Sequence, residues 1–373
     1  MLQYITAGES HGAYLSAILE GMPSELPIVH EFINLELSRR QQGYGRGGRQ
    51  KIEKDEVILT SGIYEGKTTG APIGFLLQNK DVTIEKLPKL FRPRPGHADL
   101  AGSLKYHEGI RQILERASAR ETVMRVSVGA VSKLFLREFG IEIASHVVQI
   151  GSVRLEDEKI SFEDVTRKTK DSPVNCVSRK TEKLMVEAID QATKDLNTLG
   201  GVFEVRAKGV PIGLGSHAHY KRKLDARLAT GLISLQSVKA VEFGLGFKLA
   251  ETPGSKAHDE IVYSKEKGYS HLTNRAGGIE GGMSNGEEIV VRATMKPIST
   301  LRRPLKSVNM NTKEEEKADF ERSDICSVPA GGVIGEAIVA YELADAFLEK
   351  FGGDSITETK RNVTGYLKQL KSD

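Results

Sequence analysis

Residues 8–12 read GESHG, a glycine-flanked stretch that sets a carboxylate, a hydroxyl and an imidazole in three successive positions. Imidazole titrates near neutral pH, so His11 is a candidate proton donor or acceptor. The competing reading is a polar turn whose histidine is held by backbone hydrogen bonds. A second candidate is His97 in RPRPGHAD, where two prolines stiffen the loop and hold it in one shape. His107, ten residues on, is its rival. Arginine is the other recurrent chemistry. Arg40, Arg46, Arg49, Arg111, Arg120, Arg125, Arg303 and Arg322 lie in or near glycine-containing loops. The planar guanidinium meets carboxylate and phosphate in bidentate fashion, so a converging set points to a small polyanionic ligand.

Three other patterns have weaker chemical readings. GYGRGG at 43–48 matches GxGxxG, but it follows the polar, helix-like NLELSRRQQ and lacks the strand that a dinucleotide fold places before it. SGIYEGKTTG at 61–70 has three residues between Gly62 and Gly66 where a phosphate-binding P-loop has four. A tight hairpin between two strands is the expectation there. His217 and His219 share a face if extended and could hold a metal, but no third ligand is near in sequence, so a solvated loop pair is the stronger reading.

The elements that must position these residues follow from periodicity. Helices are expected at 31–42, 119–139, 181–196, 222–238 and 333–351, the last stopped by Gly352–Gly353. Strands are expected at 56–60, 73–77, 142–148, 201–207, 240–243 and 287–294. The mixture lacks strict βαβ alternation, which argues for an α+β fold. No repeat or linker divides residues 1–373, so a single continuous fold is expected, with surface insertions or mobile loops near 153–172 and 312–322.

Composition narrows the class. The 373-residue chain is 39% hydrophobic, has no apolar run near the ~20 residues that span a bilayer, and carries a net charge of only +3. Aromatics are 6% with no Trp, so neither a nucleic-acid platform nor a membrane protein is expected. Two cysteines, Cys176 and Cys326, and no signal-like N-terminus suit a cytoplasmic enzyme.

GESHG, RRQQGYGRG, SGIYEGKTTGAPIG, RPGHAD, ERASARET, GGIEGGMSNG, MKPIST and RSDIC, in this order from residue 8 to 326, together resemble the chorismate synthase family. The resemblance implies a β-α-β sandwich, usually a homotetramer, acting as a carbon–oxygen lyase on a phosphate at the end of the shikimate pathway, in aromatic amino acid biosynthesis. It implies a 1,4-anti elimination of phosphate from 5-enolpyruvylshikimate 3-phosphate to give chorismate, needing reduced FMN (FMNH2) without net redox change. NADPH is the candidate reductant, and whether the chain reduces its own flavin stays open.

By match to these motifs, His11 is the acid toward the phosphate, His97 the acid near flavin N1, and Asp324 the carboxylate that takes the C6 proton with flavin N5. Arg116, Ala117, Ser118, Gln236, Ser237, Gly281, Lys296, Pro297, Ile298, Ser299, Thr300 and Arg322 match flavin-binding positions. Gly281 would let a flat ring lie on bare backbone. Arg40, Arg46, Arg49, Arg125 and Arg303 are left to substrate or NADPH. Two departures stand out: RSDIC lacks the Asp-Pro-Cys run of many relatives, and Ala117-Ser118 replaces a serine pair. Two rival readings remain: a flavin-dependent oxidoreductase with His11 or His97 as proton donor, and a non-catalytic phosphate-binding module.

Overall fold

Alternation of buried and outward side chains is clearest where the chain first folds back. Leu15, Ala17 and Leu19 point inward while Tyr14, Ile18 and Glu20 face out, the period of a strand with one covered face. The computed structural model describes residues 2–47, 54–156, 160–266, 268–321 and 323–372. Its first sheet contains β1 (Gln3–Ala7), β2 (Tyr14–Glu20), β3 (Ile58–Ser61) and β4 (Ile73–Gln78), antiparallel in the order β1-β2-β4-β3. A second antiparallel sheet contains β5 (Glu142–Ile150), β6 (Val153–Arg154), β7 (Gly201–Lys208), β8 (Val238–Phe243) and β9 (Ile289–Met295) in the order β8-β9-β7-β5-β6.

Helices α1 (His30–Gln41), α2 (Asp99–Tyr106), α3 (Ile110–Ala117), α4 (Thr122–Arg137), α5 (Phe162–Lys168), α6 (Arg179–Lys194), α7 (Leu224–Ile233), α8 (Val328–Phe351) and α9 (Ile356–Ser372) complete the main elements. Helix α4 touches β1 and β2 on one side and β5 on the other, while α8 packs on α4, β5 and β7. Helices therefore lie between two sheets, the expected β-α-β sandwich. One continuous core runs from Leu2 to Val363. No helix among the described residues is long and apolar enough to cross a membrane.

Close helix packing explains the main boundary difference. Helix α8 begins at Val328, five residues before the expected Val333. Pro329 in its first turn costs no intrahelical hydrogen bond. The following glycines are contact points: a Cβ on Gly331 would fall 2.3 Å from Met295 Sδ, and one on Gly335 2.5 Å from the Phe203 ring. Helix α7 stops at Ile233, earlier than expected, because the chain turns through Ser237 (φ 72°) into β8. The stretch 153–172, read as an insertion or mobile loop, contains β6 and α5. Helix α5 is closed by a Ser161–Asp164 capping box and buries Phe162 and Val165 in the core. In 312–322, residues 315–317 pair with 306–308, and buried Asp319 accepts the Phe91 and Arg92 backbone N–H groups, both at 2.9 Å. SGIYEGKTTG folds as the expected hairpin, Ile63–Tyr64 against Lys67–Thr68.

Candidate active site

The loop joining β1 to β2 carries GESHG, and its backbone is fastened from below by α3. Glu115 O accepts Ser10 N–H at 3.0 Å, and the Glu115 carboxylate accepts His11 N–H at 2.7 Å. The same carboxylate lies 2.9 Å from His11 Nδ1. A carboxylate only accepts, so Nδ1 carries the proton and Nε2 points away from Glu115. Burial alone would raise the Glu115 carboxyl; its bonds to the His11 ring and backbone overcome that and hold it below the usual range.

His97 is built in the same way from a different segment. Its Nδ1 donates to Asp99 Oδ1 at 2.5 Å. Asp99 is fully buried at the start of α2, where Arg94 clamps it through Nε and Nη2 at 2.8 and 3.0 Å. Burial opposes the Asp99 charge, but the His97 and Arg94 bonds outweigh it and hold the carboxyl far below its ordinary value. Arg94 also donates to Thr300 Oγ1 at 2.8 Å, linking this loop to the segment after β9.

Asp324 precedes α8. It accepts Gly47 N–H at 2.6 Å and pairs with Arg46 at 3.2 Å. Deeper in, Arg40 and Arg120 share Asp55: Arg40 Nη2 meets Oδ2 at 2.8 Å and Arg120 Nη1 meets Oδ1 at 2.7 Å. Burial pushes the Arg40 guanidinium down to about 10, against the pull of Asp55 and with the neighbouring Arg120 and Arg46 adding to the drop. The cluster holds three guanidiniums against two carboxylates. Arg40 Nε and Arg46 Nε are buried without a hydrogen-bond partner among the described residues, the state of donors awaiting an anion.

These networks meet at one cavity of about 1000 Å³, with Glu115, Asp99 and Asp55 behind its wall. His11, His97 and Asp324 line it, as do Arg40 and Arg46. Of the flavin-matched positions, Ala117, Ser118, Gln236, Ser237, Lys296, Ile298, Ser299 and Thr300 line it too. Lys296 Nζ donates to Gly96 O, and burial together with Lys239 lowers its ammonium.

Others do not reach the cavity wall. Arg116 is exposed and turned onto Thr6 and Gly8, which it ties through their carbonyls. Gly281 sits at the exposed tip of the hairpin joining Ile279–Glu280 to Met283–Ser284, with φ 57°. Its glycine is thus explained by the turn. Arg125 is paired with Glu121 and Ser234, and Arg303 and Pro297 are exposed outside the lining. Arg49 and Arg322 lie outside the described residues. His107 caps α2 with φ 54° and is exposed away from the cavity. His219 Nδ1 accepts Lys221 N–H in an exposed loop.

Glu115, Asp99, Asp55, Asn79 and Arg94 escaped sequence reasoning. A helical Glu or a loop Asp resembles ordinary surface charge, and burial is what gives it a role. The only sequence signal was adjacency: Asp99 and Arg94 flank His97 in RPRPGHAD. Chemically, the arrangement provides two histidines whose tautomers are set by buried carboxylates, a third carboxylate, and an excess of guanidinium. That set can donate protons to, and compensate the charge of, a departing oxyanion.

The chorismate synthase family model matches residues 2–348. The chorismate synthases of Geobacillus sp. (strain WCH70) and Desulforamulus reducens are each 52% identical to this chain, with 97% and 100% of both sequences covered. That of Solibacter usitatus is 53% identical, with 100% covered on both sides. A crystal structure of chorismate synthase superposes with a TM-score of 0.83 at 42% identity, covering 100% of this chain and 99% of that one.

Proposed function

Because the chain belongs to the chorismate synthase family, we propose that it eliminates phosphate from 5-enolpyruvylshikimate 3-phosphate in the 1,4-anti sense to give chorismate, with reduced FMN as cofactor. The observation that carries this reading is that two carboxylate-backed histidines border one arginine-rich cavity.

The residues present fit a flavin mononucleotide. The lining combines an apolar wall of Leu235, Met295 and Ile334 with three buried polar atoms, Arg40 Nε, Arg46 Nε and Gln236 Oε1, that have no hydrogen-bond partner among the described residues. A volume of about 1000 Å³ lies at the upper end of the roughly 300–1000 Å³ typical of single-ligand pockets, which leaves room for two ligands. Ala117, Ser118, Gln236, Ser237, Lys296, Ile298, Ser299 and Thr300 would hold it, the Lys296 ammonium and the hydroxyls suiting its phosphate and ribityl chain. When bound, reduced FMN supplies an electron-rich ring against the substrate.

The chain's own groups do the rest. His11, in its imidazolium form with Nδ1–H held by Glu115, gives its Nε2 proton to the phosphate leaving C3 and is left as the neutral Nδ1–H tautomer. Arg40, Arg46 and Arg120 compensate the phosphate and carboxylate charge. Asp324, steadied by Gly47 N–H and Arg46, accepts the C6 proton at a carboxylate oxygen. His97, locked by Asp99 and Arg94, keeps a proton at the cofactor end of the cavity. NADPH serves as reductant, and the enzyme works in the cytoplasm as a homotetramer.

The test is anaerobic phosphate release from 5-enolpyruvylshikimate 3-phosphate with dithionite-reduced FMN. Many phosphates and an equal number of chorismates per flavin are expected. No release, or, in a parallel reaction supplied with NADPH in place of dithionite, NADPH consumed one-for-one with product, overturns the reading in favour of no lyase activity or of hydride transfer.

A further inference from the structure

We propose that Asn79 is a positioning residue that ties the loop bearing His11 to the arginine cluster and thereby sets where that imidazole stands; the inference rests on the lyase reading above. Asn79 follows β4 and is 2% exposed. Its Nδ2 lies 2.8 Å from Gly12 O, with Glu9 O and Ser10 O at 3.3 and 3.4 Å, and its backbone N–H donates to Ala13 O at 3.0 Å. On the other side of the amide, Oδ1 accepts Arg120 Nε–H at 3.0 Å.

The partners dictate both the residue type and its orientation. Three carbonyls can only accept and a guanidinium can only donate, so a group with one donor end and one acceptor end is needed at this point. A carboxylate would face carbonyl oxygens, and an aliphatic side chain would take that donor from the buried Gly12 O. Arg120 is in turn held by Asp55, which also holds Arg40. A continuous chain of bonds therefore runs from the anion-binding guanidiniums to the turn that presents His11.

Glu115 fastens the same turn from the α3 side, through Ser10 N, His11 N and the His11 ring. With the Asn79 side chain gone, the turn keeps that hinge, the residue 79 N–H bond to Ala13 O and the Ile84 N–H bond to His11 O, and loses the amide that holds Gly12 O to Arg120. Arg120 keeps Asp55, so the anion site is preserved. The consequence is a displaced proton donor beside an intact cradle, and a misplacement near 1 Å costs on the order of 10²-fold in rate.

The experiment compares Asn79→Ala and Asn79→Ser with the unmodified protein. In the phosphate-release assay, kcat corrected for folded fraction is expected to fall about 10²-fold in Asn79→Ala, with KM for 5-enolpyruvylshikimate 3-phosphate within about threefold. Asn79→Ser, whose hydroxyl can still donate to one carbonyl, is expected to fall less. An unchanged kcat, or a rise in KM alone, overturns the proposal. Independently of turnover, carbethoxylation by diethyl pyrocarbonate is followed by peptide mass spectrometry. His11 is expected to react about fivefold or more faster in either variant, through local opening, while His97 keeps its rate. No change at His11, or an equal rise at both histidines, overturns it. If the unmodified protein releases no phosphate, the lyase reading fails while the labelling comparison still judges the role of Asn79.

Discussion

Glu115 and His11, 104 residues apart in the chain, are joined twice by one carboxylate: it receives the backbone N–H at 2.7 Å and the ring Nδ1 at 2.9 Å. A single buried side chain thus fixes the tautomer and facing of the imidazole. Glu115→Gln retains an oxygen for one of these bonds and gives up the negative charge. Turnover in single-turnover phosphate release is expected to fall on the order of 10²-fold, the cost of a misoriented acid, with the fold intact by circular dichroism.

His11→Ala, His97→Ala and Asp324→Ala are each expected to lower kcat by about 10²- to 10⁴-fold, the range for a lost acid–base group. His107→Asn serves as the contrast. Asparagine tolerates the left-handed backbone at that position (φ 54°), and activity is expected to stay within about twofold because the side chain lies outside the cavity. A loss in His107→Asn matching that of His97→Ala would reassign the second acid.

Glu342 on α8 offers a pH-dependent stability test away from the cavity. Burial, reinforced by Asp345 and opposed by Arg227, pushes its carboxyl up to about 7. The folded state then binds more protons than the unfolded chain between the ordinary carboxyl range and neutrality, so this group erodes stability as pH rises through that window. Glu342→Gln removes the effect. Urea midpoints are expected to favour the variant progressively from pH 5 to pH 8; a constant difference across that range would refute the assignment.

Gly129 lies where α4 crosses α8. A Cβ there would sit 2.3 Å from Ala337 Cβ and 2.6 Å from Ala337 O, and backbone cannot step aside as a flexible side chain can. Alanine would gain about 1 kcal/mol in helix propensity but would lose about 1–3 kcal/mol or more to overpacking. Gly129→Ala is therefore expected to lower the urea midpoint in spite of better helix propensity.

Much of the scaffold was legible from periodicity. The strands at 73–78, 142–150, 201–208 and 289–295 and the helices at 30–41, 122–137 and 179–194 fall where apolar runs and apolar spacing placed them, signals that are written locally in the residue order. Strands β1 and β2 and helices α2, α3 and α9 were not read. QYITA, for example, is short and forms an edge strand, so its pattern is weak until β2 pairs with it.

What the sequence by itself determined was chemical inventory and family: histidines, arginines and glycines in ordered loops, in the arrangement of chorismate synthases. Residue types and spacing survive without coordinates. Tertiary structure alone decided which of those groups face one cavity and which, like Gly281, Arg116, Arg125 and Arg303, serve turns, ties, ion pairs or the surface. It also brought Glu115, Asp99, Asp55 and Asn79 into contact with those groups. Their roles arise from removal of water and from partners tens to hundreds of residues away, and neither burial nor long-range proximity is encoded in any local stretch of the chain.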